Sequence, residues 1–294
     1  MKIVVTGSLG NISKPLSEEL IKKGHSVTVI SSNKDRKQEI EDLGAKAAIG
    51  SLEDTPFLQN SFEGSNAVYC MIPPSFKESN GLEYYKRIGQ NYKHAIEQSR
   101  VDRVVFLSSW GAHLDKGTGT ILGCHHVERI LEQIADVHLT YIRPCSIYYN
   151  LYNFIDLIKN SGIIGTNYKG TDKLVWVSPT DIADAVAEEF DKEILGNLDV
   201  RYVASDEVTA NETARILGSA IGKPELTWTE FTDEAVKLSF LKMGLTDRFA
   251  QDLVDLNASI SSGRMGEDYE THKPVLGKVK LTDFAKDFAA AYYK

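Results

Sequence analysis

Cysteine is scarce in this chain: Cys70, Cys124 and Cys145 are odd in number and show no Cys-x-x-Cys spacing. That argues against a disulfide framework and fits a reducing cytoplasm, with Cys70 and Cys145 in apolar runs where buried free thiols are common. Long apolar runs are missing too. None approaches the ~20 residues of a membrane span, and an apolar strand starts at the second residue, leaving no room for a signal peptide, so a soluble, cytoplasmic protein is expected. Low-complexity tracts and internal repeats are absent, which excludes disorder and solenoid architectures. Cations are in deficit: Lys and Arg number 33 against 41 Asp and Glu, a formal charge of −8. A polyanion is repelled by such a chain, so nucleic acid is not an expected partner, and without a spanning run neither is a membrane. No His-Glu-x-x-His or clustered carboxylate spacing occurs, and no metal is expected.

What is present is alternation. Strand-like runs at 2–6, 26–31, 46–49, 67–72, 103–107 and 138–143 are rich in Val, Ile, Leu, Phe or Tyr and bounded by polar or turn residues. Helix-like runs lie between them: one carries Ile12, Leu16 and Leu20 on a single stripe and ends at Lys22-Lys23-Gly24, and others fall within 36–43, 55–62, 82–99, 123–134 and 151–160. This order predicts an α/β protein with a Rossmann-type, doubly wound parallel sheet. Past residue 161 the alternation loosens into strands at 173–177, 200–204 and 226–231 and helices at 178–186, 209–221, 232–243, 246–260 and 282–293. The division expected is a dinucleotide-binding core over 1–160, with 174–204 returning to it. A smaller carboxy-terminal α/β lobe over 161–294 would take a small-molecule substrate at the carboxyl ends of the strands.

The first strand runs into Thr6-Gly7-Ser8-Leu9-Gly10-Asn11-Ile12-Ser13 and then a helix. Glycines there let the backbone turn and approach a ligand, and a helix N-terminus presents N–H groups and a positive dipole end to a pyrophosphate. The spacing is G-x-x-G-x-x-S instead of the G-x-G-x-x-G fingerprint, with Ser13 in place of the third glycine. At the second strand's end stand Ser31, Ser32, Asn33 and Lys34, with Arg36 close by. An acid at this point would bind the ribose hydroxyls of NAD, whereas hydroxyls and cations suit the 2′-phosphate of NADP, so NADP(H) is favoured over NAD(H). A solvated surface loop is the competing explanation. Two more loops, Gly50-Ser51-Leu52 and Met71-Ile72-Pro73-Pro74, end strands on the same sheet edge, where such folds flank the adenine and the nicotinamide-side ribose. Pro73 and Pro74 also serve as plain strand terminators.

These residues resemble the NmrA-like branch of the atypical short-chain dehydrogenase/reductases over nearly the whole chain. The resemblance is carried by Val5 to Gly10, Gly50 to Asp54, Arg143-Pro144 with Asn150, and Val177 to Val186 around Asp181-Ile182-Ala183. It implies a core binding NAD(P)(H) and a smaller substrate lobe, in a family that includes quinone-type and isoflavone-type reductases and catalytically silent sensors of nicotinamide redox state. The chain departs from the wider superfamily at its catalytic residues. Ser108 ends the fifth strand, where it is expected to lie against the cofactor, but Thr120 and Cys124 occupy the positions of the usual Tyr and Lys when Glu128-Arg129-Ile130-Leu131 sets the register. The one literal Tyr-x-x-x-Lys, Tyr269 to Lys273, lies outside the core and abuts Pro274, which disfavours a helix there.

No catalytic residue is therefore assigned. Proton donors to weigh are His113, His125 and His126, and Cys124 needs an activating base to act as a nucleophile. Trp110, Ile147, Tyr148, Tyr149 and Tyr152 form an aromatic set suited to a planar acceptor, and equally suited to packing between lobes. The substrate-pocket candidates are Trp110, His113, Cys124, Tyr148 and Asn150. Two functions follow: hydride transfer from NADP(H) to a quinone- or enone-like acceptor, or a redox sensor that binds the dinucleotide without chemistry. Sugar epimerisation would need the absent Tyr and Lys.

Overall fold

A computed structural model describes residues 1–74, 78 and 80–294. Its strands are β1 (Lys2–Val5), β2 (Ser26–Ser31), β3 (Lys46–Ile49), β4 (Ala67–Cys70), β5 (Arg103–Leu107), β6 (His138–Pro144), β7 (Ser146–Ile147), β8 (Ile164–Thr166), β9 (Lys173–Val177), β10 (Leu198–Val203), β11 (Asp206–Thr209) and β12 (Trp228–Glu230). Its helices are α1 (Ser13–Lys22), α2 (Lys37–Asp42), α3 (Thr55–Phe62), α4 (Gly81–Ser99), α5 (Leu122–Leu131), α6 (Ile155–Ser161), α7 (Pro179–Asp191), α8 (Ala210–Ala220), α9 (Asp233–Lys242), α10 (Asp247–Ser261), α11 (Gly266–Thr271) and α12 (Leu281–Tyr292). Among the described residues no helix is long and apolar enough to cross a membrane.

Seven strands make one sheet in the order β10-β6-β5-β4-β1-β2-β3. Neighbours run parallel, with Val4 opposite Thr28 and Val68, and Val104 opposite Val68 and Leu139. The fold is an α/β, Rossmann-type doubly wound sheet. β1, β4, β5 and β6 are buried almost throughout, which is why they read as continuous apolar runs instead of alternating ones. Strand order reverses between β1 and β4, and a crevice for ligands opens at such a point beyond the carboxyl ends of the strands.

Local signals set the element ends. Asp54 accepts from the Phe57 backbone N–H (3.0 Å) and Pro56 sits in the first turn, so α3 starts where its sequence says. β4 ends at Cys70, two residues short of the expected limit, because the Met71 N–H leaves the ladder and donates to Thr6 Oγ1 (2.8 Å). The helix expected at 151–160 is split: a 3-10 stretch covers Tyr148–Phe154 and α6 follows. A helix does form next to Pro274, contrary to expectation. α11 stops at Thr271, before the residue that proline constrains.

The chain divides into two compact units. One comprises 1–112, 123–143 and 182–201, and the other 113–122, 144–181 and 202–294. In the first, Val4, Val68, Val104 and Tyr141 of the sheet pack with Phe62, Ile88 and Tyr92 of the helices. Arg103, 6% exposed, donates to the carbonyls of Glu189, Phe190 and Lys192, placing a cation at the negative end of α7.

In the second unit Tyr148, Trp176, Leu217 and Phe284 are core residues, and Asp181 is a latch. Its carboxylate accepts from Ser205 Oγ (2.5 Å) and from the N–H groups of Lys278 and Val279 (both 3.2 Å). Gly277 must lack a side chain, since a Cβ there would stand 2.3 Å from Asp181 Oδ2. The Asp-Ile-Ala segment thus fastens the chain ahead of α12. The stray Tyr-x-x-x-Lys is structural as well. Tyr269 donates to Glu207 (2.6 Å), which also pairs with Lys173 (2.8 Å) and Lys273 (2.9 Å). Burial pushes the Glu207 carboxyl up, but these three donors outweigh it and hold the group at about 2.

Replacing Asp181 with Ala strands three donors and should cost about 2–4 kcal/mol in urea unfolding, with Asp181→Asn costing less. An unchanged midpoint for Asp181→Ala would remove the latch. Because the folded state holds Glu207 below its ordinary 4.5, its contribution to stability is whole above that pH and is lost as pH falls towards 2. Glu207→Gln should flatten the acid limb of the stability curve in that window.

Candidate dinucleotide site

Backbone geometry shapes the turn between β1 and α1. Gly7 has φ +93°, in the left-handed region, and a Cβ on it would lie 2.4 Å from Ser13 Oγ and 2.9 Å from Met71 Cγ. Both conformation and space demand glycine. Gly10 is different. A Cβ there would meet only the Gly7 carbonyl, at 3.1 Å, and the residue is exposed, so its lack of a side chain leaves an open face on the turn. Ser13 donates to the Thr6 carbonyl (2.9 Å) and fits beneath Gly7, doing with a hydroxyl what a third glycine does by having no side chain. The first turn of α1 reads Ser13-Lys14-Pro15-Leu16, without an acid to compete for an anion.

The expected cofactor residues do not all face outward. Asn11 is exposed and Leu9 half-buried at the turn, while Ile12 is 7% exposed and belongs to the core. Thr6 is fully buried. Its hydroxyl takes bonds from Met71 N–H (2.8 Å) and Tyr92 Oη (3.3 Å), so it ties β1 to the end of β4 and shapes the site from behind. Met71 is half-buried, Ile72 buried and Pro73 exposed at that exit. At the β3 exit Ser51 is exposed and accepts from Glu53 N–H (3.1 Å), and the Leu52 carbonyl accepts from Asn91 Nδ2 (3.0 Å). Phe57 lies across Gly50, 2.6 Å from where a Cβ would be, so a side chain there requires the ring to move.

The β2 exit requires a correction. Ser31 was expected to offer its hydroxyl to a phosphate, but it is 2% exposed, accepts from Ser8 Oγ (2.8 Å) and Asn33 N–H (3.2 Å), and donates to the Asn33 carbonyl (3.3 Å). It locks the strand end to the glycine turn instead. Asn33 caps the 3-10 turn through Asp35 N–H (2.9 Å), leaving Ser32 and Lys34 as exposed polar groups. Lys14 comes up to Glu39, the partner of Arg36, an approach that sequence spacing does not show because only folding brings α1 near α2. Glu39 stands 2.6 Å from Arg36 and 3.7 Å from Lys14 and neutralises part of this basic cluster.

At the β5 exit Ser108 donates to Glu128 Oε1 (2.5 Å). The Glu128 side chain is fully buried, and Arg143 grips it through Nε (3.0 Å) and Nη2 (2.7 Å), while Tyr141 Oη donates to the Glu128 carbonyl (2.8 Å). A carboxylate held this way only accepts, so the single proton of Ser108 is committed and the hydroxyl offers lone pairs to anything beyond it.

The substrate candidates scatter. Trp110 is 5% exposed, His113 half-buried and Asn150 exposed. Tyr148, 1% exposed, stacks on Phe284 (5.2 Å) and Trp176 (6.4 Å) and donates to the Val279 carbonyl (3.1 Å), and Tyr152 stacks on Phe288 (6.1 Å). Tyr148 is a core ring and Tyr152 is half-buried against that core, so of the two readings of the aromatic set these two rings follow packing. Cys124 is buried, and burial with the nearby Glu128 pushes its thiol up to about 12, so it is no nucleophile at neutral pH. His125 bonds the Ala112 carbonyl through Nδ1 (2.9 Å). Burial, Lys86 and His125 lower the His126 pKa, leaving that ring neutral at working pH.

Gly7→Ala should destabilise the protein by about 1–3 kcal/mol through backbone strain and the Ser13 clash, whereas Gly10→Ala, which meets only the Gly7 carbonyl, should cost clearly less. Equal losses at the two positions would contradict their different surroundings.

The sequence profile of the NmrA-like family matches residues 1–260. No curated protein sequence matches the chain. Among solved structures, triphenylmethane reductase from Citrobacter sp., determined with NADP(H), superposes with a TM-score of 0.80 at 19% identity, over 98% of this chain and 100% of that one. An NADPH-dependent quinone oxidoreductase from Escherichia coli, complexed with NADPH, gives 0.82 at 18% identity, over 97% and 99%. A nucleoside-diphosphate-sugar epimerase from Staphylococcus aureus gives 0.78 at 14%, over 97% and 100%. Identities this low establish the fold, and it is the profile match across most of the chain that fixes kinship: the protein belongs to the NmrA-like family.

Proposed function

We propose that the protein is an NADP(H)-dependent reductase that passes a hydride to a planar, electron-poor acceptor of quinone or enone type. The observation that carries this reading is the open glycine turn of Gly7 and Gly10 leading into α1, with Lys14, Lys34 and Arg36 beside it. The turn at Gly10 and Asn11, with the backbone N–H groups of Ile12 and Ser13 at the start of α1, would hold the pyrophosphate; the Lys14 N–H is already given to the Gly10 carbonyl and Pro15 has none. Ser32, Lys34 and Lys14 would take the 2′-phosphate, and Ser51, Leu52, Met71, Ile72, Pro73 and Ser108 would line the adenine and nicotinamide ends. When bound, the dinucleotide supplies the hydride. The protein's part is orientation, which carries most of such a reaction when the acceptor can draw its proton from water. NADP(H) in two of the similar structures supports the choice of cofactor.

A second reading has its own observation. Ser108 has its proton committed to Glu128 and Cys124 holds its proton tightly, so neither group is an acid, and a redox sensor needs none.

Parallel titration with NADPH, NADH, NADP and NAD, followed by NADPH oxidation against quinones, enones and imines, separates the two. The reductase binds NADPH best and turns over, whereas tight binding without turnover across the panel leaves the sensor. Ser32→Glu and Gly10→Val should each weaken NADPH at least tenfold. Glu39→Gln, which frees Lys14 and Arg36, should tighten NADPH several-fold and leave NADH unchanged. If Ser32→Glu binds NADPH as the native protein does, the 2′-phosphate is not held there.

A further inference from the structure

β10 closes one side of the seven-stranded sheet, and among the described residues β6 is its one strand neighbour. Leu198, Asp199 and Val200 are all exposed, so this stretch of the edge is open to solvent. Natural edges are commonly blunted by proline or lysine, and Leu-Asp-Val-Arg-Tyr-Val contains neither. Ile194, Leu195, Leu198 and Val200 instead place four exposed apolar side chains within a short length of chain. Apolar surface gathered in this way marks a contact.

Backbone direction shows how the contact would run. The Asn197 carbonyl accepts from Leu139 N–H (2.8 Å) and the Val203 carbonyl from Cys145 N–H (3.0 Å), so alternate residues from Asn197 onward turn their backbone groups towards β6. Val200 falls between them and turns its N–H and carbonyl outward. Asp199 and Arg201 share the face towards α7, where Arg201 is held by Glu188 (2.6 Å) and Glu189 (2.7 Å). The Asp199 side chain is 60% exposed, with His138 at 3.4 Å.

We propose that the protein pairs with a second copy of itself through β10, the two strands running antiparallel about a two-fold axis at Val200, so that one sheet continues into the other. Under that operation Asp199 falls opposite Arg201 of the partner subunit, and Arg201 opposite the partner's Asp199. The strand is complementary to itself. Moving the axis to the next outward-facing residue loses both ion pairs, so charge selects the register that the backbone allows. Val200 meets its own copy as a hydrogen-bonded pair, and the ion pairs flank it at non-hydrogen-bonded positions, where side chains come closest. On the opposite face Leu198 and Val200 of both copies are covered together.

Sedimentation velocity at micromolar concentration tests the pairing, and an engineered thiol tests its register. Native protein should sediment as a dimer. Val200→Lys should be monomeric with an unchanged unfolding midpoint, and Asp199→Lys, which sets like charges opposite each other twice, should weaken the dimer about tenfold. Across the axis the Cα atoms of residue 200 stand about 5.5 Å apart, within disulfide range, while those of residue 198 stand about 14 Å apart. The three native cysteines are buried. Val200→Cys should therefore form a covalent dimer under mild oxidation, and Leu198→Cys should not. A native protein that stays monomeric, a dimer that survives Val200→Lys, or a Val200→Cys variant that links no better than Leu198→Cys overturns the proposal.

Discussion

The carboxyl edge of the sheet is organised around one buried charge. Glu128 has no exposed surface, and an ionised carboxylate out of water is tolerable only when opposite charge and donors surround it. Arg143 from β6 supplies the charge, and Ser108 from the end of β5 completes the donor set. One residue of α5 therefore fixes two strand ends and the direction of a hydroxyl proton. Removing one partner of such a pair costs about 3–5 kcal/mol, because the other stays buried and uncompensated. That expense secures geometry at the carboxyl ends of β5 and β6. It also explains why a serine at a familiar position need not have the familiar chemistry: with its proton drawn inward, Ser108 can receive a hydrogen bond from a ligand but not give one.

Much of this was legible beforehand, and unevenly. β2, β3, β5, β9 and α3 have the limits their residues suggest, because each is bounded by a strong local signal: a cap at Asp54, glycines at 24 and 44, a long apolar run at 103–107. β8 and β11 were not seen. Ile-Gly-Thr is too short to show a period, and Asp-Glu-Val-Thr is half-buried at every position. Gly7 and Ser13 were identified by spacing, yet their mutual contact could only come from three dimensions.

The candidate site residues divide the same way. A hydroxyl after a strand looks like a phosphate ligand whether it faces solvent, as Ser32 does, or is spent on Ser8 and Asn33, as Ser31 is. Aromatic composition near 148–152 carried no sign of direction, and the rings of Tyr148 and Tyr152 turned out to face Phe284 and Phe288. Lys14 lay too far in sequence from Glu39 to be grouped with it. Glu128 and Arg143 were both in view, one as a register mark and the other as part of a family-like stretch, but nothing in their spacing announced a buried pair.

The two units are woven from alternate lengths of chain, and this governs how the protein can be made. The sheet-bearing unit waits for residues 182–201, and the other borrows 113–122 from within the first half. No single cut releases either one whole. As the chain leaves the ribosome, β6 must wait for its outer neighbour β10 some fifty residues later, so its open edge stays exposed while most of the second unit's first long segment is still being synthesised. Such an edge is where a nascent sheet is most prone to pair wrongly, and its protection is a requirement that a finished structure no longer displays.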